Sequence, residues 1–425
     1  MSMSSVQEVS VGSRRVTVFA AGALLLTGAA GAAPYPISPL ITATPQNGVG
    51  YSAYRMALAN DGSYALATMP PAGDRLLRNG QPIVITTAQG GFSSTSVSNT
   101  GHTVSVVTLP GTYPPEAVNN PNTVLFDQTP VVRPGTPTTT PAFPTGTYWI
   151  SINDAVVNDR NEVFVTGVVK PPASFALATI TKYTVDDLGR VLTEQTIFKN
   201  DDRLPDGAGS GFAVNVPRHH WEWEANNAGQ VLATHSVSAD ILYRDQTQLV
   251  RRGGPSPVAG QTYGLFFAAH LNNNGNWATA VGLGTGTSPA LVVADGRAVV
   301  RVGDALANGY ALTGIRDQVF VADDGAVFWA GTWNDPNTAK NFGIFRDGEL
   351  VVQMGVSTSD GVVVSDIDRF GSGGVFTVSD DGTKLAFHGT LASGANGLYL
   401  VAVPEPGTLA WAVALLSLLG GRRRR

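Results

Sequence analysis

Gly264-Leu265-Phe266-Phe267-Ala268-Ala269-His270-Leu271, then Asn272-Asn273-Asn274-Gly275, then Asn276-Trp277-Ala278-Thr279-Ala280-Val281, is the stretch that decides the fold. A short loop leads on to Ala290-Leu291-Val292-Val293-Ala294, the pair Asp295-Gly296, and Ala298-Val299-Val300-Arg301-Val302. These are four strand-like runs joined by three turns. The first turn recurs along the chain as Asn60-Asp61-Gly62, Asn99-Thr100-Gly101, Asp159-Arg160-Asn161, Asn227-Ala228-Gly229, Asn273-Asn274-Gly275, Asp323-Asp324-Gly325 and Asp380-Asp381-Gly382.

The letters of the turn have physical reasons. The last position needs a positive φ, which glycine reaches freely and asparagine tolerates, so Asn161 is the expected substitute. The Asn or Asp two residues earlier can accept a hydrogen bond from the backbone just ahead of it. Leu58, Val97, Val157, Ala225, Leu271, Val321 and Val378 precede the turns, and Ala65, Val104, Phe164, Leu232, Ala278, Phe328 and Leu385 follow them. Each hairpin therefore offers an apolar face that only neighbouring copies can cover, and seven such copies mean a solenoid or a propeller.

Composition fits an exported β-rich body. Charged residues are only 14% of the chain against 43% hydrophobic, and 49 glycines supply turns. The absence of cysteine rules out disulfides and thiolate metal sites. Net charge is −5 with no basic block inside the body, which argues against nucleic acid as a partner.

Both ends carry addresses. Residues 1–33 read as a signal peptide: Arg14-Arg15, an apolar run from Val16 to Leu26, and the small-residue pattern Ala30-Gly31-Ala32. At the other end Pro404-Glu405-Pro406 precedes an apolar helix, Thr408 to Leu419, and the chain closes on Arg422-Arg423-Arg424-Arg425. The helix is shorter than the ~20 residues of a comfortable membrane span, and the arginines would keep its end in the cytoplasm. This tail, residues 404–425, resembles the PEP-CTERM sorting signal of Gram-negative bacteria. The resemblance implies recognition by an exosortase, only transient membrane contact through the helix, and delivery to the cell surface or an extracellular polysaccharide matrix. A permanent single-span anchor is the plainer alternative.

Between the two addresses, residues 34–403 divide into seven units. The seventh stops one strand short, while Ile37 to Thr44 is a strand-like run without a unit. A ring closed by pairing the first strand into the last unit resolves both deficits and removes the open edges. Glycine-to-glycine spacings of 39 to 68 residues place the excess in loops, among them the Pro/Thr-rich connector Arg133 to Thr147, expected to be exposed and extended. The expectation is an all-β, seven-bladed β-propeller closed by the N-terminal strand, flanked by signal and sorting helices, with an eight-bladed or two-lobed β-structure as the alternative. The body also resembles bacterial surface proteins with tandem NxxGxxAF repeats. Asn272 to Ala278 and Asn226 to Leu232 match the Asn, Gly and apolar positions, whereas no copy ends in Ala-Phe. That family is named for its repeat and implies no catalytic residues.

One segment has unusual chemistry: Arg218-His219-His220-Trp221-Glu222-Trp223-Glu224. On a strand, alternation puts His220, Glu222 and Glu224 on one face and Trp221 and Trp223 on the other. The first set suits a divalent metal or carboxylate acid–base chemistry on a glycan. The tryptophans suit stacking on a sugar, or plain packing between blades. His270 occupies in unit five the position that Glu224 holds in unit four, so the two could meet at a shared channel or lie at separate blade edges. Asp323-Asp324 and Asp380-Asp381 lack the alternation of a calcium loop, and turn formation accounts for them. No serine-hydrolase, zinc-protease, phosphate-binding or dinucleotide motif is present, and no cofactor is implied. Two functions follow. The first is a non-enzymatic surface propeller binding exopolysaccharide or another surface protein; the second is a secreted glycan hydrolase or lyase using Glu222, Glu224 and His270.

Overall fold

The computed structural model describes residues 35–42, 56–68, 75–85, 91–109, 111, 113–115, 122–200, 202–204, 212–213, 222–234, 241–367 and 375–404. The signal segment, the sorting tail from Glu405 onward, and both expected helices lie outside these residues.

The described chain is a seven-bladed β-propeller. Six blades are consecutive four-stranded antiparallel meanders with the strands in sequence order. Blade five, the stretch quoted first, is Tyr263–Leu271, Trp277–Leu283, Leu291–Ala294 and Arg297–Arg301. Blade four begins at Trp223–Ala225 and blade six at Leu312–Val321. Blade seven takes Lys384–Leu391 and Asn396–Ala402 from the C-terminal side and Ile37–Thr42 from the N-terminus. The last pairing is antiparallel, with Ile37 opposite Val401 and Pro39 opposite Tyr399. Closure therefore occurs as the strand deficit required.

In blade seven two segments share the place beside Lys384–Leu391. Phe376–Val378 covers only part of Lys384–Leu391, and Val362–Ile367 pairs with the remainder, Val364 opposite Leu391. Ahead of blade four, Phe212–Ala213 forms a separate ladder with Arg203–Leu204. The Pro/Thr connector is also less extended than expected. Phe143 and Thr140 are buried, and the Thr139 N–H and hydroxyl both donate to Glu194 at 2.6 Å.

All seven turn positions have positive φ, including Asn161 at 56°. The conserved geometry has a different side-chain logic from the one expected, however. Local turn closure falls to the residue just before or just after the repeated Asn/Asp. Asn272 Oδ1, for example, accepts from Asn274 and Asn276 N–H at 3.1 and 2.8 Å, and Asp61 Oδ1 accepts from Ser63 N–H at 2.7 Å. The repeated residue itself reaches to the preceding blade. Asn60 N–H donates to Asn99 Oδ1 (2.8 Å), Asn99 N–H to Asp159 (2.6 Å), Asp159 N–H to Asn227 (2.7 Å), Asn227 N–H to Asn273 (2.9 Å) and Asn273 N–H to Asp323 (2.9 Å). Turn amides crowded at the axis need acceptors, and a short side chain from the next blade supplies them.

The ring slips by one residue at blade seven. Asp323 N–H donates to the Asp380 backbone carbonyl (2.7 Å), and Asp381 N–H closes the circle onto Asn60 Oδ1 (3.0 Å). The slip releases the Asp380 carboxylate into the centre, where its Oδ2 accepts from Asn99 Nδ2 at 2.9 Å and Asn273 Nδ2 at 3.1 Å. The third turns follow a rule of their own. Asn79, Asp127, Asp245, Asp295 and Asp347 take positive φ and accept from the N–H that opens, or lies at the start of, the second strand, Val327 N–H to Asp347 at 3.0 Å among them.

Apolar cores lie between neighbouring blades. Phe328, Ile344 and Val352 of blade six pack with Phe376, Phe387 and Tyr399 of blade seven and with Ile37 of the closing strand. Side chains of this size contribute roughly 1.5–3 kcal/mol each on full burial. The ring thus depends on the N-terminal strand for both its hydrogen bonds and part of its last core.

Candidate functional site at the propeller axis

The inner strands converge on an axial cavity of about 200 Å³. Blades one, two, three, four, six and seven contribute to its described lining, and Asp159, Asn227 and Asp380 of the ring form one end. Because Asp380 bridges Asn99 and Asn273, the ring plugs that end of the axis. Polar walls come from Glu224 and Thr377 and an aromatic one from Phe320, whereas the Phe376 ring is buried in the core between blades six and seven. Gln318 also lines the cavity but is committed to the fold. Its Oε1 accepts from Val375 and Phe376 N–H (2.6 and 3.1 Å), and its Nε2 donates to the Phe376 carbonyl.

Glu224 and His270 do come together. Their equivalent places on adjacent inner strands bring His270 Nε2 to 3.9 Å from Glu224 Oε2. That distance is an electrostatic contact, longer than a hydrogen bond. The imidazole keeps only 12% of its side-chain surface and lies against the Phe320 ring, centroids 3.7 Å apart. Its Nδ1 faces the Val321 N–H at 3.2 Å as acceptor, which assigns the proton to Nε2, the nitrogen facing Glu224. Burial lowers its pKa to about 3. At neutral pH it is an uncharged ring with a fixed tautomer and has no basic nitrogen left to offer a substrate.

The other sequence candidates fare differently. Glu222 is half-buried and precedes the strand, which begins only at Trp223, so strand alternation does not carry Glu222 onto the face of Glu224. Its carboxylate acts instead on the buried Tyr243 hydroxyl, whose pKa is raised by burial first and by Glu222 second. Trp223 is fully buried, and its indole N–H donates to Asp154 Oδ2 at 3.0 Å. Its ring is therefore covered and offers no platform to a sugar, which corrects the stacking expectation for that residue. His220 and Trp221 lie outside the described residues. Among the described residues, no three His, Asp or Glu side chains gather as metal ligands. His102, without a carboxylate near it in sequence, pairs through Nδ1 with Asp127 Oδ2 at 2.9 Å in its own blade.

The sequence missed Thr377 and Phe320 as cavity residues. Each is one residue of an ordinary inner strand, and only the closure of the ring gathers them.

No family model matches the chain, and no curated protein matches it. Solved structures similar to it include YCF48 bound to D1 peptide, with 13% identity, 88% of this chain and 96% of that chain covered, and a TM-score of 0.40. TolB from Acinetobacter baumannii has 10% identity, coverage of 80% and 79%, and a TM-score of 0.35. A putative gluconolactonase has 9% identity, coverage of 88% and 93%, and a TM-score of 0.32. At these values the likeness carries nothing about function.

Proposed function

We propose that this chain is exported, sorted through its C-terminal tail, and held at the cell surface or in the extracellular matrix, where the propeller is a binding module for polysaccharide or a surface protein. The sorting half of this reading rests on Pro404-Glu405-Pro406, the apolar run after it, and Arg422 to Arg425, with an exosortase as the processing partner. The preference for binding over catalysis rests on one observation. His270, the base that a glycan hydrolase or lyase would draw from the axis, is buried, neutral and hydrogen-bonded through Nδ1 to Val321. A general base must offer a titratable nitrogen near the working pH.

Polysaccharide pull-down with the mature protein, combined with an assay for new reducing or unsaturated ends, tests the reading. Retention without chain cleavage is the expected result. Cleavage that disappears in Glu224→Gln would replace the binding module by a glycan-active enzyme.

A further inference from the structure

The third turn of blade six departs from a rule that two other blades keep. Its outer hairpin, Phe342–Arg346 and Glu349–Gln353, sets Arg346 directly opposite Glu349. Arginine holds the same place in blades one and four, where Arg78 and Arg244 stand opposite Gln81 and Thr247. There each guanidinium donates to the carbonyl of the next blade's turn glycine, Arg78 to Gly101 at 2.6 Å and Arg244 to Gly275. The corresponding glycine for Arg346 is Gly382, yet Arg346 Nη1 donates instead to the Pro404 carbonyl at 2.8 Å. Across the turn, Glu349 Oε1 accepts from the Tyr35 hydroxyl at 2.6 Å. In blades two and five the matching pairs are Phe126 with Thr129 and Ala294 with Arg297, so of these turns only that of blade six sets an arginine against an acid.

What this turn grips are the two ends of the folded body. Tyr35 stands just before the closing strand Ile37–Thr42, and Pro404 just after Asn396–Ala402, the strand it pairs with. Both ends are seated. Tyr35 is buried in the core of blades six and seven, and Val403 is buried with its N–H donating to the Thr383 carbonyl at 2.8 Å. Arg346 is itself only 5% exposed; its Nη2 donates to Asp324 Oδ2 beside the Asx ring, and its guanidinium lies 5.8 Å from the centre of the Phe328 ring. A planar fork fixed on a second partner cannot swing away, so the Pro404 carbonyl has one place. The ends of a domain open first unless something ties them down, and hydrogen bonds with a charged partner are the strong kind.

We propose that the blade-six turn from Arg346 to Glu349 is a clasp on both ends of the propeller, and that it sets how often the closing strand lifts from the last blade while the other blades stay shut. Glu349 holds the entering end through Tyr35, and Arg346 holds the leaving end through Pro404. Because Arg346 is anchored on Asp324, the two ends leave side by side on the plugged face. Each lifting of the strand would bare the edge of Asn396–Ala402, the kind of edge that pairs with other chains, and a clasp at this place keeps it covered. The inference stands apart from what the propeller binds and from its route of export.

Hydrogen–deuterium exchange of the purified full chain, read by mass spectrometry, tests the clasp. Tyr35→Phe removes the hydroxyl and leaves the ring in its core. The amides of Ile37–Thr42 and Asn396–Ala402 should then exchange about tenfold faster, while Glu162–Lys170 of blade three and Trp277–Leu283 of blade five exchange as in wild type. Glu349→Ala should match Tyr35→Phe, whereas Glu349→Gln, which keeps an acceptor, should stay within about twofold of wild type. Arg346→Met, which frees the Pro404 carbonyl, should loosen the same two strands at least as much as Tyr35→Phe. Unchanged exchange of Ile37–Thr42 in both Tyr35→Phe and Glu349→Ala would overturn the proposal. Equal acceleration in blades three and five would overturn it as well, since the contacts would then support the whole fold and not its ends.

Discussion

Asn273, on the turn of blade five, donates its side-chain amide to the Asp380 carboxylate of blade seven across the propeller axis, at 3.1 Å. The contact exists because the Asx ring slips by one residue at blade seven. There the Asp380 carbonyl takes over the accepting role that side chains play elsewhere, and the Asp380 side chain moves to the centre.

That placement has a pH signature. Burial, with Asp323 and Asp159 nearby, raises the Asp380 pKa to about 6 from an ordinary 3.8. The folded state therefore holds this proton more tightly than the unfolded chain, so its contribution to stability is fully present below about pH 4 and is lost as pH rises through 6. Asp380→Asn keeps an acceptor for Asn99 and Asn273 and removes the buried charge. The variant should exceed wild type by about 3 kcal/mol at pH 7.5, two pKa units' worth, and the difference should close towards pH 4. Urea unfolding at several pH values measures it. A variant less stable than wild type at pH 7.5 would refute the assignment.

Asn273→Ala tests the ring itself. The substitution orphans the Asn227 N–H and removes both side-chain donors to Asp323 and Asp380. A lost buried partner costs about 1–3 kcal/mol. The expected result is a loss in that range with an unchanged far-ultraviolet spectrum. A neutral outcome would mean that water replaces the ring at no penalty.

His270 offers a spectroscopic check on the binding reading. With its pKa lowered by burial to about 3, below the unfolded value of 6.5, its contribution to stability is present above pH 6.5 and lost progressively as pH falls towards 3. Nitrogen-15 spectra of labelled histidine should show one neutral ring protonated on Nε2 down to pH 5. A ring that titrates near 6 would restore the residue as an acid–base candidate.

Much of the fold was legible because its determinants are local. Gly275 and its six counterparts mark turns, and the orphan run from Ile37 beside a three-stranded seventh unit announces closure. The Asx ring was not legible. Asn99 looks the same in sequence whether its side chain caps its own turn or serves the blade before it. Trp223 shows the same limit at the site: alternation put it on a face, but only the Asp154 contact tells that this face is an interior. Glu224 and His270 were paired by counting from the turn, whereas Phe320 carries no pattern until it is found against the His270 ring.

The whole account depends on the first strand closing the last blade. The chain has no cysteine, so Ser38→Cys with Leu400→Cys, a directly opposed pair, introduces two thiols and no others. Oxidation and mass measurement of the doubly substituted protein tests closure most directly. The account predicts one intramolecular disulfide formed without denaturant and a higher Tm, since the bridge closes almost the entire described chain into one loop. Two thiols that stay free, or pair only between molecules, would contradict it.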